Sequence, residues 1–175
     1  MNNKKFAAAA LVLACSLTLP AHAVDSVSVE AGRGTEQVDL WRVGAQWNWQ
    51  KQWFRGNEWH VGGYWDAQIG QWHASGHAHV TDFGLTPTFR LEKNTGFGPY
   101  LEGAIGFHYL SSKDISNGKQ FSSNFQFGDH VGAGVRFGEK GQYDLGLRLQ
   151  HLSNAGIKHP NPGINFGILR FQYHF

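Results

Sequence analysis

His151 and Ser153 stand two residues apart at the end of an alternating run, Tyr143, Leu145, Leu147 and Leu149. Side chains two apart on an extended strand share a face, so the pair projects to the same side as those apolar residues. A serine hydroxyl is a weak nucleophile until a neighbouring base takes its proton, and an imidazole suits that task near neutral pH. The spacing therefore permits acyl-transfer chemistry. It equally permits an ordinary interfacial pair, because any strand leaving an apolar environment places residues i and i+2 on one face. Two polar groups on an otherwise apolar face still cost desolvation unless they are hydrogen-bonded or have work to do.

Other chemistry-bearing residues are weaker candidates. His73, His77 and His79 have a spacing that could bind a metal, but they sit in a turn-rich connection with no Cys and no definite carboxylate beside them, so no metal site is expected. Lys158 and His159 could meet phosphates as point charges or simply solvate a loop. The sequence contains no Gly-rich phosphate loop or nucleotide fingerprint.

The elements that must hold the His151–Ser153 pair form a period-two pattern repeated eight times. In Trp41–Trp49 the odd positions Trp41, Val43, Ala45, Trp47 and Trp49 oppose Arg42, Gly44, Gln46 and Asn48. The same split recurs in Val27–Ala31, Trp59–Ile69, Asp82–Leu91, Leu101–Tyr109, Val131–Phe137, Tyr143–Leu149 and Leu169–Phe175. Turn-rich connections separate them at Gly32–Gly34, Gln50–Asn57, His73–Gly76, Lys93–Pro99, Ser111–Gly118, Gly138–Gly141 and Ala155–Gly163. Pro87 lies inside the fourth segment, where it removes a ladder hydrogen bond, and a bulge is expected there.

The chain of 175 residues is the size of one domain. Lys+Arg 15 against Asp+Glu 13, with no block of like charge, disfavours a nucleic-acid footprint or a polybasic tail. With 23 Gly, 13 Phe, 7 Trp and 5 Tyr, the composition suits strands and turns rather than helices. Residues 1–23 read as a secretory signal peptide: Lys4 and Lys5, an apolar stretch from Phe6 to Leu19, and the small-x-small site Ala21-His22-Ala23. The domain is then residues 24–175. Without Lys4 and Lys5 the basic count falls from 15 to match the 13 acidic residues, and the single Cys, Cys15, leaves with the signal. A lipoprotein acylated at Cys15 is the lesser alternative, because the apolar stretch runs on to a better cleavage site.

No mature segment holds the roughly 18 apolar residues a membrane helix needs. Alternating strands in even number are instead the mark of an outer-membrane β-barrel. A soluble eight-stranded barrel would turn its apolar face inward, where the aromatic set would overfill the lumen. The expected fold is therefore all-β, an eight-stranded antiparallel transmembrane barrel. Its lumen is filled by a polar set (Arg42, Asp66, Arg90, Glu102, Arg136, Arg148, Arg170), with His60, His108, His130 and His174 also inside. The closing residues Leu169-Arg-Phe171-Gln-Tyr173-His-Phe175 resemble the terminal signal by which bacterial outer-membrane barrels are recognised for assembly.

The stretch His151-Leu-Ser153-Asn154-Ala-Gly156-Ile-Lys158-His-Pro-Asn161-Pro-Gly163-Ile-Asn165 resembles the active-site stretch of the lipid A 3-O-deacylase family, PagL. The resemblance also covers Tyr64-Trp65-Asp66, Pro99–Gly106 and Asn124–Phe137, and extends weakly over the mature chain. It implies a serine esterase on the outside of the barrel, releasing the 3-hydroxy fatty acid ester-linked at position 3 of lipid A and so modifying lipopolysaccharide. Carried over by position, Ser153 would be the nucleophile and His151 the general base. Asn154, with backbone N–H groups around Gly156, would stabilise the oxyanion, and Asn161 would shape the loop. Asn154, Gly156 and Gly163 are equally ordinary turn residues.

The third member departs from the pattern. The family's best-known form has Glu where this chain has Asn165; an amide can still orient a histidine and fix its tautomer, but stabilises the imidazolium less than a carboxylate does. Asp129 is the alternative acid, since a symmetric turn at Gly138–Gly141 would set it opposite His151. The resulting expectation is an esterase of the bacterial outer membrane with its site on the lipid-facing outer-leaflet side. It needs no cofactor and no metal; lipid A is its partner, nucleic acid is not, and a homodimer stays open. The rival readings are a non-catalytic barrel serving structure or surface binding, and an esterase of ordinary phospholipids using the same residues.

Overall fold

The computed structural model describes residues 23–76, 79–116 and 119–175. Residues 1–22 of the expected signal peptide, and His77, lie outside the described residues. The alternating segments become β1 (Ser26–Gly34), β2 (Asp39–Asn48), β3 (Trp59–His73), β4 (Val80–Lys93) and β5 (Gly98–Leu110). A small hairpin of β6 (Asp114–Ser116) and β7 (Lys119–Gln120) follows, then β8 (Phe125–Phe137), β9 (Tyr143–Ser153) and β10 (Ile164–His174). Eight of these close an antiparallel barrel in the order β1-β10-β9-β8-β5-β4-β3-β2. Closure pairs every strand on both sides, so no backbone edge is left to face lipid. The ends of the chain meet where Ser26 pairs with His174. The longest connection, 111–124, lies at the opposite end together with 154–163, which makes that the extracellular end by the usual loop asymmetry of such barrels.

Parity decides what each strand presents. Odd residues form an outer belt in which Leu147, Leu149, Val131 and Ile105 are all exposed. A continuous apolar belt of this size on a chain with a buried polar interior is the surface of a protein solvated by lipid. At the periplasmic end it is trimmed by a girdle in which Tyr143 lies 5.7 Å from Phe137, 5.8 Å from Tyr173 and 6.2 Å from Phe171, centroid to centroid. Even residues fill the lumen. Arg148 bridges Glu102 and Glu30 at 2.6 Å each, Arg42 meets Glu30 at 2.7 Å, and Arg90 meets both Glu102 and Asp144 at 2.8 Å. Removing one partner from such a network strands a buried charge, at a cost of about 3–5 kcal/mol. His60, His108, His130 and His174 lie inside, as their parity predicts.

Three features differ from the sequence reading. First, the lumen is polar only in part: towards the extracellular end Val38, Leu40, Trp72, Leu110, Leu152, Ile164 and Phe166 form an apolar core, capped by Ile115 and Phe121 of the β6–β7 segment. Second, Pro87 makes no bulge. The register runs unbroken from Leu85↔Phe107 to Thr88↔Ala104, and only the pairs at Thr86 and Pro87 are missing, because proline removes a donor without adding a residue. Third, β8, β9 and β10 extend well beyond the apolar alternation, starting at Phe125, ending at Ser153 and starting at Ile164.

Candidate active site

The extra lengths of β8, β9 and β10 are where the polar residues gather. In the antiparallel ladder Asn165 of β10 lies directly opposite His151 of β9, and on the other side His151 lies opposite Asp129 of β8. All three point outward, as does Ser153, whose cross-strand neighbour is Phe127. His151 Nδ1 lies 2.7 Å from Asn165 Oδ1. An amide oxygen only accepts, so Nδ1 carries the proton and donates, leaving Nε2 as the free lone pair. That is the tautomer a general base requires.

Ser153 Oγ accepts a hydrogen bond from the backbone N–H of Ala155 at 3.4 Å, and among the described residues it has no hydrogen bond to His151. Such contacts are often long before substrate tightens them. Ala155 and Gly156 both have positive φ, 54° and 73°, and Ile157 N–H donates to Asn154 O at 3.1 Å. This is a type I′ turn, and its first central position, held by a non-glycine residue, stores strain of about 1 kcal/mol or more. The turn aims the Ala155 N–H at the serine oxygen. The sequence reading expected backbone N–H groups around Gly156 here; the structure narrows this to the Ala155 N–H, which it directs at Ser153 Oγ.

Asn154 does not fill the place expected of it. Its even parity turns the side chain inward, where it is buried, and its Nδ2 donates to Ser122 Oγ and to Lys158 O, both at 2.8 Å. With both amide hydrogens used, it has none for an oxyanion. It braces the loop instead, together with Asn161, whose Oδ1 accepts from Asn154 N–H at 3.0 Å. Ser122 Oγ also donates to Lys158 O at 2.8 Å, and Lys119 Nζ donates to Gly163 O at 3.0 Å. The 111–124 segment thus holds the loop that follows Ser153.

Gly163 is a residue whose role sequence reasoning did not find. It has φ +61°, and a Cβ there would sit 2.6 Å from His151 Cε1 and 3.2 Å from Nε2. Only glycine leaves room for the imidazole edge that carries the lone pair. Of the histidines weighed for a metal, His73 and His79 lie away from β8, β9 and β10. His73, the last residue of β3, and His79, in the β3–β4 connection, stack at 4.6 Å, and among the described residues no group of three or more metal-ligating side chains forms.

Below His151 a furrow of about 990 Å³ crosses the outer wall. It runs between two ladder rows, His151–Asp129–Ile105–Pro87 and Leu149–Val131–Gly103–Phe89, over the backbone of Gln150, His130 and Ala104. Its upper end passes Asn165 and Gly167 to Thr35 and Arg33. A nucleophile, an oriented base and a backbone donor at the head of an apolar furrow open to lipid can cleave an ester whose acyl chain stays in the membrane.

The comparisons point the same way. Residues 39–174 match the model of a family described as lipid A 3-O-deacylase (PagL). The chain is similar to the lipid A deacylase PagL of Bordetella bronchiseptica, 33% identical over 99% of this chain and 97% of that protein. It is also similar to the lipid A deacylase PagL of Pseudomonas aeruginosa, 32% identical over 79% of each. Among solved structures, the crystal structure of the outer membrane enzyme PagL superimposes with a TM-score of 0.79 at 29% identity, over 86% of this chain and 99% of that one. A de novo designed transmembrane β-barrel matches at a TM-score of 0.51 and 13% identity, a likeness of fold alone.

Proposed function

The chain belongs to the lipid A 3-O-deacylase (PagL) family of outer-membrane β-barrel enzymes, and from that premise we propose that Ser153, His151 and Asn165 form its catalytic triad. The protein is a carboxylic ester hydrolase of the outer membrane that removes the 3-O-acyl chain of lipid A. Ser153 Oγ attacks the acyl carbonyl carbon while His151 Nε2 takes its proton. The Ala155 N–H, which donates to Ser153 Oγ before attack, is the donor we assign to the oxyanion that develops on the neighbouring carbonyl oxygen once Oγ is bonded to the same carbon. Collapse breaks the ester bond, and the imidazolium returns the proton to the departing sugar oxygen. Water, deprotonated by the same imidazole, then cleaves the acyl-enzyme and frees the 3-hydroxy fatty acid.

The observation that carries this assignment is the 2.7 Å contact between His151 Nδ1 and Asn165 Oδ1 on the strand face that also bears Ser153. The three residues come from adjacent strands of one barrel, so the proposed unit is a single chain and a homodimer is not required. The site opens on the lipid-facing wall near the extracellular end, which fits a substrate held in the outer leaflet. The mature barrel is proposed to begin at Val24, after signal cleavage.

The test is mass spectrometry of lipid A from Gram-negative cells expressing the wild type, Ser153→Ala and Asn165→Ala. Loss of one 3-hydroxyacyl group with the wild type but not with Ser153→Ala is expected. A marked loss of activity in Asn165→Ala supports the amide triad; near-normal activity there transfers the orienting role to Asp129. A mass shift confined to phospholipids would replace the substrate while keeping the nucleophile.

A further inference from the structure

Asp129 is left without a task by the triad just described. His151 Nδ1 already donates to Asn165, so no carboxylate is needed to orient the ring. Asp129 is nevertheless exposed on the lipid-facing wall and lines the furrow, and among the described residues it has no hydrogen-bond or ion-pair partner. The outward side chains along the descending furrow are otherwise Leu149, Val131, Ile105, Pro87 and Phe89, with Gly103 between them. His130 and Gln150, which also line it, turn away into the lumen, His130 towards Glu102 at 3.7 Å and Gln150 towards His108 at 3.4 Å, while the remaining polar lining residues, Arg33, Thr35, His151 and Asn165, lie at its upper end. An unpaired carboxylate on such a surface costs desolvation unless the substrate supplies a donor.

Resting on the deacylase reading above, we propose that Asp129 is a specificity-determining residue that accepts a hydrogen bond from a hydroxyl on the acyl chain, close to the ester carbonyl. The argument is one of order along the furrow. The carbonyl sits between Ser153 and His151, and a chain entering the furrow crosses β8 first, where Asp129 faces it. Cβ atoms directly opposite across a ladder are about 5 Å apart. A hydroxyl two carbons beyond the carbonyl therefore comes within reach of the Asp129 carboxylate, while the rest of the chain continues over Ile105 and Gly103. In hydrocarbon that hydroxyl has no competing partner, so a carboxyl oxygen of Asp129 satisfies a donor that would otherwise stay unpaired. The 3-hydroxyacyl chains that the family resemblance implies carry a hydroxyl at this position.

The experiment uses the full barrel in detergent micelles and two lipid A-type substrates of equal chain length, one with a 3-hydroxyacyl ester and one with the unsubstituted acyl ester. The wild type should prefer the hydroxylated substrate in kcat/KM by about 10–100-fold, the range for a desolvated polar group gained or left without its partner. Asp129→Ala should fall on the hydroxylated substrate about tenfold or more further than on the other, erasing most of the preference. Asp129→Asn, which keeps an acceptor oxygen, should retain part of it. An equal fall on both substrates would mean that Asp129 acts through His151, and an indifferent wild type would show that no hydroxyl is read; either overturns the proposal while leaving the triad intact. Hydrolysis that persists unchanged in Ser153→Ala would overturn the triad, and this inference with it.

Discussion

Two furrows of nearly the same size cross the outer wall of this barrel, one of about 990 Å³ below His151 and one of about 940 Å³ over β1–β4. They are built alike, each lying between two rows of outward residues that the ladder brings into line. The second runs between Val29–Val43–Ile69 and Val27–Ala45–Ala67, over the backbone of Ser28, Gly44 and Gln68. Every outward side chain named there is apolar. In the first, the same geometry carries Asn165, His151 and Asp129 at consecutive register positions, with Ser153 beside them. Size and shape are thus common properties of a lipid-facing wall, and what distinguishes the proposed site of reaction is a few polar residues on adjacent strands.

The sharpest way to break that comparison is to return the first furrow to the state of the second. Ser153→Ala or His151→Ala should abolish deacylation, a fall of about 10⁴-fold or more measured as lipid A turnover in micelles. Asn165→Ala leaves nucleophile and base in place but frees the imidazole to rotate and change tautomer. A loss of about 10–100-fold in kcat with little change in KM is expected, and an unchanged kcat would remove Asn165 from the triad. Gly103→Leu tests the seat rather than the chemistry. A Cβ at Gly103 meets nothing closer than His130 O at 3.8 Å, so the new side chain projects into the furrow without disturbing the barrel. It should lower kcat/KM by about tenfold through KM, whereas Ala67→Leu in the second furrow should stay within about twofold of the wild type. Equal effects of the two substitutions would mean that the acyl chain does not lie where the register places it.

Much of this was legible before any coordinates. Period-two alternation predicts the eight barrel strands and their inside and outside faces. Near the site, the same alternation fails. Asp129, His151, Ser153 and Asn165 break the apolar pattern on the outer face, which is why β8, β9 and β10 read as shorter than they are. Such an interruption is what a functional site would leave in the pattern, since local rules are violated where chemistry is placed, and the proposed triad lies within it. Two further points depended on backbone detail that a pattern does not carry. The inward turn of Asn154 follows from its even number, but its engagement with Ser122 and Lys158 depends on how the 111–124 segment folds over the barrel. The direction of the Ala155 N–H depends on a positive φ that alanine adopts only under constraint. The apolar core at the extracellular end was visible as Leu40, Leu110, Leu152 and Ile164 at even positions, but was overshadowed by the charged residues of the same parity.

The smallest expected effect lies at the far end of the reactive furrow. Past Phe89 the furrow would continue onto β3, but there the Trp49 ring lies against Gly63, where a Cβ would sit 2.5 Å from its Cε3. Trp49 is held by its own backbone N–H to Gly63 O at 2.8 Å and by edge contacts with Phe89 at 4.9 Å and Trp53 at 5.9 Å. From β9 to β4 the furrow crosses three strand spacings, ~14 Å, which seats an extended chain of about a dozen carbons. In water such a stop would measure chain length steeply. Here the solvent is lipid, as apolar as the furrow itself, so carbons beyond the stop can leave the wall for the bilayer at little cost, and only packing contacts are at stake. Trp49→Ala should therefore shift the preference towards longer chains by only about two- to threefold across a graded series of acyl lengths. A shift of tenfold or more would show that the chain is enclosed over its whole length, and that the reactive furrow differs from its counterpart over β1–β4 in depth as well as in chemistry.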